Sequence, residues 1–162
     1  EYWPYDIKNY EKEPPAFCYS FAKNYQAINY VRLDPSGIAK DVLLHSIKDN
    51  IDKGFPCMFG FTVYNSIQQS SSTGKIPYPC EGEKIDGGHA VMAVGYDDKM
   101  EIKNEMCDRV TKGALIIRNS WGTEWGESGY GFLPYEYVLS GLAEDWWTLI
   151  QQGWVDTGQF GE

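Results

Sequence analysis

The chain has 162 residues, 43% of them apolar and 23% charged. A chain of that size and balance can enclose a core that buries roughly 70% of its unfolded surface, which excludes a disordered polypeptide. The formal net charge of −9 argues against tight nucleic-acid binding, which needs clustered Lys and Arg facing phosphates. No apolar run reaches the roughly 18 residues of a membrane-spanning helix. The opening Glu1-Tyr2-Trp3-Pro4-Tyr5-Asp6 has no initiator Met, basic n-region or apolar h-region, and is read as the start of a processed or incomplete chain.

In chain order, residues 1–16 are rich in Pro, Tyr and charge and predict an extended surface segment. Pro14-Pro15 prevents an earlier helix start. Residues 17–27 predict a short helix or irregular turn, and residues 27–33, AINYVRL, a strand. After the turn Asp34-Pro35-Ser36-Gly37, residues 38–51 predict a helix. Ile38, Val42, Leu43 and Ile47 recur at helical spacing there, and Gly54 closes it. Residues 55–64, FPCMFGFTVY, predict a strand buried on much of both faces. Residues 65–86, rich in Ser, Gly and Pro, predict a long surface loop.

The second half predicts strands at 89–96, 114–119 and 129–133, with a polar connecting excursion at 97–111. Residues 135–147 predict a turn or short helix, and the tail WVDTGQFGE a loosely held end. Short strands joined by glycines predict an α+β chain dominated by an antiparallel, barrel-like sheet with short helices. The domain reading is one β-rich domain over 17–162, with 1–16 reaching towards something else. Aromatic residues make up 15% of the chain, enough to line a groove as well as pack a core.

Four cysteines, at 18, 57, 80 and 107, permit two disulfides in three connectivities. With no CxxC pair and two histidines, the sequence offers no zinc-site pattern. Cys57, inside an apolar run, reads as a buried free thiol.

Two strand-end motifs carry chemistry. His89 follows Gly87-Gly88 and begins an apolar strand. Asn119 ends another and precedes Ser120-Trp121-Gly122-Thr123-Glu124-Trp125-Gly126. Such a pair suits thiol chemistry. A cysteine of pKa about 8.5 is mostly protonated at neutral pH, and an adjacent imidazolium converts it to a thiolate. The imidazole then needs a partner on its other nitrogen to fix ring and tautomer. A neutral amide does this without altering the charge of the ion pair. Trp121 is placed to shield that bond from water.

GGHAVMAVGYDD followed by GALIIRNSWGTEWGESGYGFLPYEY resembles the second half of papain-like cysteine peptidases, the family that includes the cathepsins. Weaker likeness extends to Tyr2-Trp3-Pro4-Tyr5 and to GFPCMFGFTVY. The resemblance implies a papain-like fold, mainly its second domain. Residues 1–16 would then contact a helical domain that lies elsewhere. It implies His89 as general base and acid, Asn119 as its orienting partner, Trp121 as the cover of their bond and Trp125 as groove wall on the leaving-group side. Gly88 stands where the family commonly has Asp, which removes a nearby carboxylate. The family's C-terminal cysteine is not visible around LAEDWWTLI. The floor of the pocket for the second substrate residue therefore falls to Glu144, Asp145 and Trp146 as candidates.

The resemblance also implies a motif Cys-Gly-[Ser/Ala]-Cys-[Trp/Tyr] about 130–150 residues before the His and Asn. Only 88 residues precede His89, and none of the four cysteines sits in such a motif. Cys18-Tyr19-Ser20 falls on the wrong side of the Tyr-Pro-Tyr-like segment. The expected nucleophile and oxyanion glutamine therefore lie upstream or on a partner chain, unless the chain is a degenerate, non-catalytic peptide-binding scaffold. A transglutaminase-like or amidase-like enzyme is the third class, and Asn119-Ser-Trp-Gly argues against it. The expected partners are a peptide or protein substrate, the cysteine-bearing segment and a propeptide inhibitor of a zymogen. No cofactor, nucleic acid or membrane span is implied, and the resemblance favours a secreted or lysosome- or vacuole-like compartment.

Overall fold

The structure is a computed structural model describing residues 3–4 and 6–154, without the side chains of 26, 28 and 151–154. Residues 155–162 of the tail, and Tyr2 and Tyr5 of the opening segment, lie outside the described residues. The chain divides into two compact units, Glu1–Tyr30 with Leu149–Glu162, and Val31–Thr148. Among the described residues no helix is long and apolar enough to cross a membrane.

In the first unit the opening segment is not wholly extended. A 3-10 turn spans Ile7–Asn9, and the Asp6 carboxylate caps it by accepting the Lys8 N–H at 2.9 Å. Helix α1, Ala16–Ala22, starts directly after Pro15, which presets the backbone but has no N–H to give. It ends sooner than its sequence suggests, because β1 (Tyr25–Arg32) already begins at Tyr25. Phe17 and Phe21 stack at 5.8 Å, and Phe21 meets Tyr25 at 5.5 Å.

The second unit holds α2 (Lys40–Asp52), β2 (Cys57–Tyr64), β3 (Ile85–Asn104), β4 (Arg109–Arg118), β5 (Tyr130–Pro134), α3 (Tyr135–Leu139) and the start of β6 (Ala143–Trp154). The strand order is β1-β6-β2-β3-β4-β5, and the pairs β6–β2, β2–β3, β3–β4 and β4–β5 are antiparallel. Short helices on an antiparallel sheet make this an α+β fold, as the Gly-punctuated strands predict.

Helix α2 buries Leu43 and Ile47, one turn apart, while Val42 of the expected stripe faces outward and is 51% exposed. Gly54 follows at φ +82°, the left-handed conformation that ends a helix most readily on glycine. The core gathers Leu43 and Ile47 with Phe59, Phe61, Val91, Ala93, Leu115, Ile117, Tyr137 and Trp146. Phe59 and Trp146 stack at 3.9 Å, worth about 1 kcal/mol beyond the area they bury.

Two stretches differ from the sequence expectation. Residues 65–86 are not a surface loop: a 3-10 helix Asn65–Ser70 buries Ser66, Ile67 and Ser70, and Ile76 is 2% exposed. Their apolar residues are too sparse to show a period, yet β5 pins the segment. Phe132 N–H donates to Gly74 O at 2.8 Å and Ile76 N–H to Phe132 O at 3.0 Å. Gly74 is needed there, since a Cβ would meet Tyr130 O at 2.6 Å. The excursion 97–111 is instead the far end of the β3–β4 hairpin. In its β3 part the faces alternate: Ile102 and Asn104 point inward between outward Glu101 and Lys103.

Candidate active site

The site is where two inward rows of the sheet run out. Across β2 and β3 the register pairs Cys57 with Ala93, Phe59 with Val91 and Phe61 with His89, and residues directly opposite share a face. The first five of these are buried, and His89 closes the row half-buried. On β4, Leu115 and Ile117 are buried on the same alternation, which continues to Asn119 just past the strand end. Hydrophobic patterning thus carries both polar side chains to the rim.

There His89 Nε2 and Asn119 Oδ1 lie 2.8 Å apart. The Ser120 N–H donates to the same Asn119 oxygen at 2.8 Å. A backbone N–H can only donate, so this atom must be the amide oxygen, and His89 Nε2 must carry the proton it donates. The tautomer is therefore fixed, with Nδ1 left to act. Among the described residues Nδ1 has no hydrogen-bond partner. Trp121 stacks on the imidazole at 4.7 Å and is 47% exposed, while Phe61 meets its other side edge-on at 5.9 Å. Trp125 is turned inward, 8% exposed, and meets Trp121 edge-to-face at 5.4 Å. It lies over Gly131, where a Cβ would touch its ring. The loop carrying both indoles is closed by Asn119 N–H to Gly129 O at 3.0 Å and Gly129 N–H to Trp125 O at 2.8 Å.

Gly87 adopts φ +144°, a conformation that favours glycine, and is exposed with open space around it. Gly88 is also exposed. A Cβ there would meet nothing closer than Phe61 O at 3.9 Å, so the missing carboxylate reflects residue choice, not lack of room.

A cleft of about 470 Å³ opens beside His89, with walls that include Phe61, Gly88, Leu142, Glu144 and Asp145. A second, of about 550 Å³, is more apolar and touches Met58, Met92, Asn119, Asp145 and Trp147. Of the three expected pocket residues, Glu144 and Asp145 are exposed and line the first cleft. Trp146 is fully buried against Phe59 and lines neither. Phe61 and Leu142 are cleft residues that the sequence did not single out, because apolar side chains in a strand and a turn look the same whether they face core or ligand.

Cys57 is buried, and its thiol donates to Phe55 O at 3.6 Å. Burial pushes that thiol up to about 11, so it stays protonated at neutral pH. It also sits four residues along β2 from the Phe61–His89 pair, about 13 Å at strand rise. Cys80 and Cys107 form a disulfide, and Cys18 lies in α1.

A model of papain family cysteine proteases matches residues 2–145. A peptidase C1-like protein of Acanthamoeba polyphaga mimivirus is 35% identical over 155 residues, which is 93% of this chain and 46% of that protein. Pro-cathepsin H of Mus musculus is 30% identical over 132 residues, 80% of this chain and 32% of that protein. The crystal structure of xylellain, a cysteine protease from Xylella fastidiosa, matches with a TM-score of 0.63 at 37% identity. That match covers 89% of this chain and 46% of xylellain's. The chain spans less than half the length of these relatives.

Proposed function

The chain belongs to the papain family of cysteine proteases, and on that premise we propose that it supplies the acid–base half of a peptide-hydrolysing site. His89 is the proton carrier and Asn119 its orienting partner. The nucleophilic cysteine comes from an upstream segment or a partner chain. The observation that carries this reading is the His89–Asn119 hydrogen bond, with its tautomer fixed by the Ser120 N–H.

In the reaction, the cysteine's proton passes to His89 Nδ1 and the thiolate attacks the scissile carbonyl carbon. The tetrahedral adduct collapses as the Nδ1 proton passes to the leaving amine, giving a thioester. Water then loses a proton to Nδ1 and attacks the thioester. The thiol is released and the peptide acid leaves. Asn119 stays on Nε2 throughout and keeps Nδ1 aimed at the reacting atoms. Trp121 stacked on the imidazole keeps water from competing for that bond. Trp125 supports Trp121 from inside, and Gly87 and Gly88 keep the approach to His89 open. Glu144 and Asp145 are the polar wall of the adjoining cleft. A propeptide occupying the groove before activation belongs to the same reading, since a relative is a pro-cathepsin.

The test is His89→Ala in the full-length protein. Peptide hydrolysis should fall by at least about 10³-fold, the upper range of general acid–base catalysis. Unchanged turnover would end the assignment.

A further inference from the structure

We propose that Gly74 is a positioning residue for the acid–base pair: its bare backbone seats the loop that holds Trp121 over His89. This role rests on the peptidase reading above. Trp121 stacks on the imidazole at 4.7 Å, yet it is 47% exposed, so its own burial does little to hold it in place. Three bonds tie its loop, residues 119–130, to itself. Asn119 N–H donates to Gly129 O, Gly129 N–H to Trp125 O and Glu127 N–H to Tyr130 O. They set the shape of the loop but not where it sits on the sheet. Two anchors do that. One is Trp125, 8% exposed, which meets Trp121 edge-to-face at 5.4 Å and lies over Gly131. The other is the segment 71–75, where Ser71 O accepts the Gly126 N–H at 3.0 Å.

The second anchor depends on glycine. Gly74, Gly126 and Gly131 meet backbone to backbone, and the first two hold φ at +68° and +59°. A Cβ at Gly74 would lie 2.6 Å from Tyr130 O and 2.7 Å from Gly131 Cα. One at Gly126 would overlap Tyr130 O and lie 2.9 Å from Gly74 Cα, and one at Gly131 would lie 2.6 Å from Gly74 O. These obstacles are backbone, which no rotamer change can move. Gly74 is itself held: its N–H donates to Ser70 O at 2.7 Å, and its O accepts the Phe132 N–H at 2.8 Å. Ordinary Cβ contact begins at 3.4 Å, so a methyl on Gly74 demands a parting of about 0.8 Å from Tyr130 O, 3.4 less 2.6. That exceeds the roughly 0.5 Å within which a preorganised site must be held. Either the segment lifts off and Gly126 loses its bond to Ser71, or Tyr130 and Gly131 yield and the loop they close moves with them. Both routes shift Trp125, and with it Trp121.

The test compares Gly74→Ala with Gly54→Ala in the full-length protein. Gly54 has φ +82° but open space around it, so alanine there brings similar backbone strain without a collision. Gly74→Ala should lower kcat about tenfold and leave KM within about twofold, because the misplacement acts on the reacting geometry rather than on binding. Protons over the face of an indole resonate upfield. The ring-proton NMR signals of His89, assigned by their loss in His89→Ala, should therefore move downfield in Gly74→Ala. Gly54→Ala should change neither reading. If Gly74→Ala does not fold, Ile76→Val slackens the same segment without adding an atom. It should move the His89 signals the same way by less, and unmoved signals there overturn the role. In Gly74→Ala, a wild-type kcat or unmoved His89 signals overturn it too, as do equal changes in Gly54→Ala, and each leaves the peptidase reading standing. A wild-type protein that hydrolyses no peptide overturns both.

Discussion

The two ends of the β3–β4 hairpin handle polar side chains in opposite ways. At the turn end, Asn104 is 1% exposed and its amide is saturated. Its oxygen accepts from Gln69 Nε2 at 3.1 Å and from the Met106 N–H at 3.0 Å, while its nitrogen donates to Tyr78 O at 3.0 Å. The Cys80–Cys107 disulfide closes the same region. At the open end, Asn119 and His89 are half-buried, and Nδ1 of His89 is left without a partner among the described residues. Saturated polar groups fix a structure, whereas a held ring with one unspent nitrogen is ready for chemistry. On the proposed reading, stability and reactivity are thus separated along one pair of strands.

That separation is most directly broken by replacing Cys80 and Cys107 together with serine. The link closes a sequence separation of 27 residues, for which loop-closure entropy gives about 3.5 kcal/mol. Urea unfolding of the full-length protein should show a loss of that order, while kcat/KM of the folded enzyme should stay within about twofold. A large fall in kcat/KM would mean that the two ends are coupled.

The converse substitution is Asn119→Ala. It removes the acceptor that fixes the His89 ring and should lower kcat by about 10- to 100-fold, the equivalent of one hydrogen bond to a charged group. Because Asn119 sits at the rim, thermal unfolding should move little. A shift in Tm as large as that of the disulfide variant would place Asn119 in the scaffold instead.

The open end was far more legible in the sequence than the turn end. His89 directly follows two glycines, Asn119 opens Asn-Ser-Trp-Gly, and each stands at the end of an apolar strand; those are local signals. The role of Asn104 was invisible, because a lone Asn among charged residues becomes a core residue only when segment 65–86 folds over it. That segment's burial depends on β5, more than forty residues later in the chain, and no local periodicity records such a partner. The bulge in β6, where Phe59 alone faces Asp145 and Trp146, was hidden for a related reason. Glu144-Asp145-Trp146-Trp147 fits no period of two, and the pairing with β2 and the Asp34 carboxylate, which accepts the Asp145 and Trp146 N–H groups, decide which indole goes in. Cys57 was readable as a buried thiol from its apolar neighbours alone.

The smallest effect expected sharpens the turn end by pH. Glu83 Oε1 accepts the Ser66 N–H at 2.7 Å, and Oε2 accepts the Cys80 N–H at 2.8 Å and Asn104 Nδ2–H at 3.4 Å. Burial by itself would raise this carboxyl, but hydrogen bonds from Ser66, Cys80 and Asn104 outweigh it and hold Glu83 below its ordinary value. A carboxylate depressed in the folded state contributes stability that is fully present above its unfolded value, about 4.3. That contribution is lost as pH falls through the folded value. Asp98, held down by Lys48 and Tyr135, and Asp108, held down by Lys103, act with the same sign. They remain in Glu83→Gln, so the difference between wild type and variant isolates Glu83. The variant should be the less stable at pH 7, and the two urea midpoints should converge as pH drops below about 4. A gap that persists unchanged into acid would show that the Glu83 oxygens act as hydrogen-bond acceptors whatever their charge.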